Sequence, residues 1–110
     1  MNWIPLTSLE LVDLIQQNSY TSPQVIFKHS ITCSISKMAL ARMERSEAPE
    51  NIQFYYLDLL NYRAISKAIA EKFNVYHESP QILLIKNGEC IFDESHGGIQ
   101  MEEIVAQANH

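Results

Sequence analysis

Strand-forming runs and amphipathic helical patterns alternate along nearly the whole chain, and this alternation constrains the fold more than any other feature. Val25-Ile26-Phe27 and Ile52 to Leu60 are rich in β-branched and aromatic residues, and Ile52, Phe54 and Tyr56 share one face of the second run. Between them Ile35, Met38, Ala39 and Met43 recur at helical spacing until the stretch Glu47 to Asn51, with Pro49 inside it, stops the pattern. A helix between two strands of one sheet implies a parallel crossover.

The pattern extends in both directions. Trp3 to Leu6 reads as an edge strand, where Pro5 is tolerated. Thr7 and Glu10 have capping-box spacing, and Leu9, Leu11, Val12, Leu14 and Ile15 give a first helix a wide apolar face as far as Asn18. Ser19 to Pro23 is turn-like. Asn61 reads as the cap of a third helix whose stripe is Ile65, Ala68, Ile69 and Phe73, and Met38, Met43 and Phe73 read as core. Gln81 to Lys86 and Glu89 to Asp93 flank Asn87-Gly88, a strong hairpin signal, and Gly97-Gly98 leads into a last helix carrying Met101, Ile104, Val105 and Ala108. The order β-α-β-α-β-α-β-β-α predicts a three-layer α/β/α fold around a mixed, mostly five-stranded sheet. At 110 residues the chain is expected to form one domain, residues 1–110.

Composition narrows the function. With 8 Lys plus Arg against 13 Asp plus Glu, a net charge of −5 and no basic block, nucleic acid is not an expected partner. The apolar stretches Ile82 to Ile85 and Leu57 to Leu60 fall far short of the ~20 residues that span a bilayer, so no membrane association is expected. Trp3 and Pro5 stand where a signal peptide would carry positive charge, which makes the cytoplasm the expected location. Two cysteines cannot build a disulfide framework, and a reducing compartment leaves them as free thiols.

The chemistry is expected where the strand run Phe27-Lys28-His29 gives way, through Ser30-Ile31-Thr32, to a helix starting at or beside Cys33. A helix amino terminus offers unpaired N–H groups and the positive end of a dipole, and cysteines placed there have pKa values of about 3.5 to 7.5, so the placement predicts a depressed pKa for Cys33. Thr32 and Ser36 can donate hydroxyl hydrogen bonds to the sulfur. Lys28, His29 or Lys37 can bring positive charge, and the sequence does not say which. Ser36 occupies the place of a second, resolving cysteine; a hydroxyl cannot close a disulfide, so such a site attacks mixed disulfides and needs an outside thiol for regeneration. On position alone, a merely buried or capping Cys33 is an equally good reading.

Ser79-Pro80 favours chemistry, because a cysteine at the start of the second helix and a proline ahead of a hairpin strand are similar to the thioredoxin-like layout. In that superfamily the proline is cis and faces the cysteine, leaving the backbone of the preceding residue, here Ser79, free to pair with a bound peptide or thiol. Thr32-Cys33-Ser34-Ile35-Ser36, His77-Glu78-Ser79-Pro80-Gln81 and Ser95-His96 together resemble the monothiol bacilliredoxins of the YtxJ type, and the resemblance covers nearly the whole chain. Members more often carry Thr-Cys-Pro-Ile-Ser; here Ser34 replaces a proline that would preorganise the first helical turn.

The resemblance implies a thiol-disulfide oxidoreductase of the stress response that removes bacillithiol from S-bacillithiolated proteins. Cys33 would be the nucleophile, Thr32, Ser34 and Ser36 would support its thiolate, and bacillithiol would be a co-substrate, with no bound cofactor or metal. Ser79, Pro80, Gly97, Gly98 and Lys28 are the expected substrate- and thiol-binding residues. Bacillithiol carries an acidic malyl group, which Gly97-Gly98 at the opening of the last helix would meet as the Gly-Gly of related glutaredoxins meets a glutathione carboxylate; a simple tight turn is the competing reading. Phe27, six residues before the cysteine, stands where thioredoxins keep a buried acid, which favours a glutaredoxin-like mechanism. Two alternatives stay open: a non-catalytic thioredoxin-fold binding module, and a monothiol glutaredoxin using glutathione or an iron–sulfur cluster. Cys90, beside Ile91 and Phe92, reads as a packed free thiol, and His29, His77 and His96 lack metal-ligand spacing.

Overall fold

In the computed structural model, which describes residues 1–110, strand β2 (Gln24–His29) is the spine of a five-stranded sheet. Every residue of β2 is buried, as expected of a strand covered on both faces. The sheet order is β1-β3-β2-β4-β5, with β1 (Trp3–Pro5), β3 (Gln53–Asp58), β4 (Gln81–Lys86) and β5 (Glu89–Ser95). β1 and β2 run parallel to β3, as the intervening helices demand, whereas β4 is antiparallel to both β2 and β5. Asn87 and Gly88 both take positive φ, 54° and 82°, the twist that suits a two-residue hairpin.

Alternation along the strands sorts two apolar layers. Val25, Phe27, Phe54, Ile82 and Leu84 face helices α2 (Ser34–Arg45) and α4 (Met101–Ala108), packing against Ala39, Met43, Met101 and Ile104. Ile26, Tyr55, Leu57, Leu83 and Ile85 face α1 (Leu9–Asn18) and α3 (Arg63–Phe73), packing against Val12, Ile15, Ile65, Ile69 and Phe73. Burying each large side chain contributes roughly 1.5 to 3 kcal/mol, so the two layers hold the sheet between helices. No helix is long and apolar enough to cross a membrane.

Local details differ from expectation. Ser8, not Thr7, caps α1, its hydroxyl accepting a hydrogen bond from the Leu11 N–H at 3.3 Å. Asn61 does not cap α3; it donates to the Asp58 carboxylate at 2.6 Å while Tyr62 takes the capping position. In α2 the inward stripe is Ser36, Ala39 and Met43, which leaves Ile35 and Met38 51% and 63% exposed rather than in the core. A helix that starts at Ser34 turns Ser36 toward the sheet, and its i+3 and i+7 neighbours follow it there. Gly97-Gly98 does not open the last helix: His96–Gly98 form a separate 3-10 turn, and α4 starts at Met101 with Gln100 as its cap.

Candidate active site

Cys33 occupies the N-cap of α2, with extended backbone, φ −101° and ψ 122°. Its N–H donates to the Ser30 carbonyl at 3.2 Å and its carbonyl accepts from the Lys37 N–H at 3.0 Å, so the backbone on both sides of the sulfur is held. The half-exposed thiol itself makes no side-chain capping bond. Ser34 is the first, exposed helical residue, and Ile31, Ile35 and Met38 form exposed apolar surface on the Ser30–Thr32 turn and the first turns of α2.

Beneath the loop lies a network that sequence reading missed. The His29 Nδ1 is 2.6 Å from the Ser36 hydroxyl, and the same oxygen accepts the Ser30 N–H at 3.0 Å. Ser36 is fully buried, so its own hydrogen needs a partner, and His29 Nδ1 is the acceptor in reach. Burial pushes the His29 pKa below the usual imidazole value, with Asp58 opposing, which keeps the ring neutral and Nδ1 free to accept. The Ser36 hydroxyl is therefore committed to His29 and does not bond the sulfur, contrary to expectation. Thr32 is likewise turned to Ser30, with the two hydroxyls 3.4 Å apart. The signal in sequence is faint: a buried strand's last residue and an inward helical position seven residues on must both be recognised as facing the same core.

The register brings the remaining segments alongside. Lys28 pairs with Gln81, so Ser79-Pro80, joined by a cis peptide bond, passes the end of β2 next to the Ser30–Cys33 turn. Pro80 is buried and its carbonyl accepts the His96 N–H at 3.1 Å; the Ser79 hydroxyl is buried without a partner. Arg42 of α2 donates to the carbonyls of Ile99 and His96 at 3.2 and 3.0 Å, fastening the 3-10 turn to the cysteine-bearing helix. Cys33, Ser79, Pro80, Gly97 and Gly98 thus gather at one end of the sheet.

Two of the expected site residues are placed otherwise than their spacing suggests. The Gly97-Gly98 amides do not belong to the first turn of α4; a Cβ at Gly98 would lie 2.6 Å from a Glu94 carboxylate oxygen, which itself accepts the Ser95 N–H, while Gly97 faces open space. Lys28 faces the opposite side of the sheet from Cys33: it is fully buried, 3.2 Å from His77 Nδ1 and 3.4 Å from the Ser66 carbonyl. Adjacent residues of a strand point to opposite faces, so Lys28 parts company with Phe27 and His29.

Cys90 is remote. It pairs with Ile85, which faces Gln24 at the start of β2, whereas Cys33 follows the end of that strand. The intervening strand length of about 16 Å rules out a bridge, which needs Cα atoms within about 7 Å. The Cys90 thiol donates to the Phe92 carbonyl at 3.3 Å, and burial pushes its pKa up to about 11. No group of three or more His, Cys, Asp or Glu residues is placed to hold a metal ion.

Comparison with known proteins agrees with this geometry. The family model described as Monothiol bacilliredoxin BrxC matches residues 4–104. A solved structure described as an oxidoreductase with a thioredoxin fold is 34% identical, with 97% of this chain and 93% of that chain covered and a TM-score of 0.78. The thioredoxin of Malassezia sympodialis is 17% identical over 99% of this chain and 90% of its own, with a TM-score of 0.76, and that of Trypanosoma brucei brucei is 18% identical over 96% and 88%, with a TM-score of 0.73. These two share the fold. A thioredoxin-like sheet, a lone cysteine at the head of α2 and a family match along almost the entire length together make the chain a member of the monothiol bacilliredoxin family, whose chemistry is thiol redox exchange.

Proposed function

We propose that the protein reduces mixed disulfides between protein thiols and a small thiol, with Cys33 as the nucleophile and bacillithiol as the small thiol. The observation that carries this reading is the seat of Cys33: a helix N-cap with its sulfur free of side-chain partners, beside cis-Pro80, and with Ser36 where a second sulfur would stand.

The Cys33 thiolate attacks the bacillithiol sulfur of the substrate's mixed disulfide. The S–S bond breaks, its electron pair leaves on the substrate cysteine, and a new S–S bond joins Cys33 to bacillithiol. A second bacillithiol thiolate then attacks the adduct, releasing oxidised bacillithiol and restoring Cys33. Cys33 sits at the amino terminus of α2, where backbone N–H groups lack intrahelical partners. Ser34 at the first helical position leaves one more such N–H than proline would. Ser36 serves this site through the loop, since its bonds to Ser30 and His29 hold the backbone that carries Cys33. The Ser79 backbone is positioned to pair with substrate, and Ile31, Ile35 and Met38 offer apolar contact to a protein partner. A reducing compartment such as the cytoplasm suits a site of this kind.

The test presents a bacillithiolated protein to the wild type and to Cys33→Ser. Release of the substrate thiol by the wild type, with one bacillithiol mass appearing on the chain, and release at background by the variant are expected; equal release by both sinks the reading.

A further inference from the structure

On the face of the sheet away from Cys33 lies a cavity of about 310 Å³ whose polar lining is cationic or hydrogen-bond donating: Arg63, Ser66, Lys67 and His77, with Leu59 and Ala70 as apolar wall. Behind this lining lies an unusual group. Lys28 is fully buried directly behind His77, and its ammonium has no carboxylate partner, only the Ser66 carbonyl at 3.4 Å and His77 Nδ1 at 3.2 Å. An ammonium is a donor only, so Nδ1 accepts and the His77 hydrogen sits on Nε2, on the outer edge of the ring. Glu78, next in the chain, lies 3.6 Å from His96 and acts on His77 less than burial and Lys28 do. Arg63 and Lys67 are exposed and take part in no ion pair, since the one lysine ion pair joins Lys72 to Asp13.

We infer that this cavity between α3 and the His77 segment is a binding site for a small oxyanion, carboxylate or phosphate. Two exposed cations and an oriented imidazole N–H line one concavity, with the Lys28 ammonium buried behind His77, in a chain whose net charge is −5. Burying an ammonium without a counter-charge costs stability unless something compensates, and burial indeed holds the Lys28 pKa down to about 8. An oxyanion held by the Arg63 guanidinium, Lys67 and His77 Nε2–H supplies the missing negative charge above Lys28. The site touches the cysteine end of the sheet through Leu59, whose N–H donates to the His29 carbonyl at 3.0 Å.

The test is an NMR titration of the full chain with inorganic phosphate and, separately, with malate, at low salt. Saturable shifts on the His77 ring and on the amides of Arg63, Ser66 and Lys67 are expected with at least one of them. The double variant Arg63→Gln, Lys67→Gln changes only exposed side chains and should weaken binding at least tenfold with its denaturation midpoint kept. Tighter binding of phosphate identifies a phosphate ligand, and tighter binding of malate a carboxylate. Shifts that do not saturate up to tens of millimolar, that scatter over the surface, or that persist undiminished in the double variant overturn the proposal. Cys33→Ser should bind the anions as the wild type does, which separates this test from that of thiol exchange.

Discussion

Cys33 and Cys90 are both free thiols, and their surroundings assign them different reactivity. With its pKa pushed up to about 11 by burial, Cys90 is thiolate to only about one part in a thousand at pH 8. Brief treatment with iodoacetamide at pH 8 should therefore add one label per chain, read by intact mass. Cys90→Ala should leave that label in place and Cys33→Ser should abolish it; rapid double labelling would contradict the packing described for Cys90. Lys28 gives a second prediction. Its pKa falls from 10.5 in the unfolded chain to about 8 when folded, so between these values the unfolded chain binds more protons and stability rises with pH. Lys28→Met should remove that rise and, at neutral pH in the absence of bound anion, should be more stable than the wild type by about 1 to 3 kcal/mol. Urea unfolding of both proteins at pH 7, 9 and 10 checks this, and parallel curves would count against it.

Among the elements, the hairpin and the cysteine loop depend most on single residues. At Gly88 a side chain would have to adopt φ 82° and would meet the Tyr20 ring, while the Gly88 N–H donates to Ser19 at 2.8 Å and its carbonyl accepts from Gln16 at 3.0 Å. Gly88→Ala should cost about 1 kcal/mol or more, seen as a lower urea midpoint with exchange activity kept, because the hairpin lies at the far end of the sheet from Cys33. Ser36→Ala leaves the buried Ser30 N–H without its acceptor and His29 without its donor. A loss of about 1 to 3 kcal/mol is expected, together with slower thiol exchange at Cys33, because the loop that positions the sulfur loosens. Restored exchange in Ser36→Thr, which keeps the hydroxyl, would separate the bond from mere packing.

At the scale of the whole molecule, the order of elements was legible because each carries its own period: two in Ile52, Phe54 and Tyr56, near 3.6 in Ile65, Ile69 and Phe73. The hairpin was legible from Asn87-Gly88 between two strand-like runs. What escaped was direction. In a strand buried on both faces no polar side marks which way Lys28 points, so its turn toward His77 shows only once α3 is in place. Ser36 was read as a neighbour of the sulfur by spacing along the chain, but the deciding contact comes from His29 on another element. Gly97-Gly98 looked like a helix opening because glycines before an amphipathic run fit either a cap or a turn, and the Glu94 carboxylate beside Gly98 is invisible to local pattern. The His29–Ser36–Ser30 network also bears on how this protein could change over generations. A sulfur in place of the Ser36 oxygen is larger, a weak acceptor, and enclosed on all sides. Conversion to a two-cysteine site would thus require the strand end, the loop and the helix to be rebuilt together, so the single-sulfur character of the site is anchored in the interior of the fold.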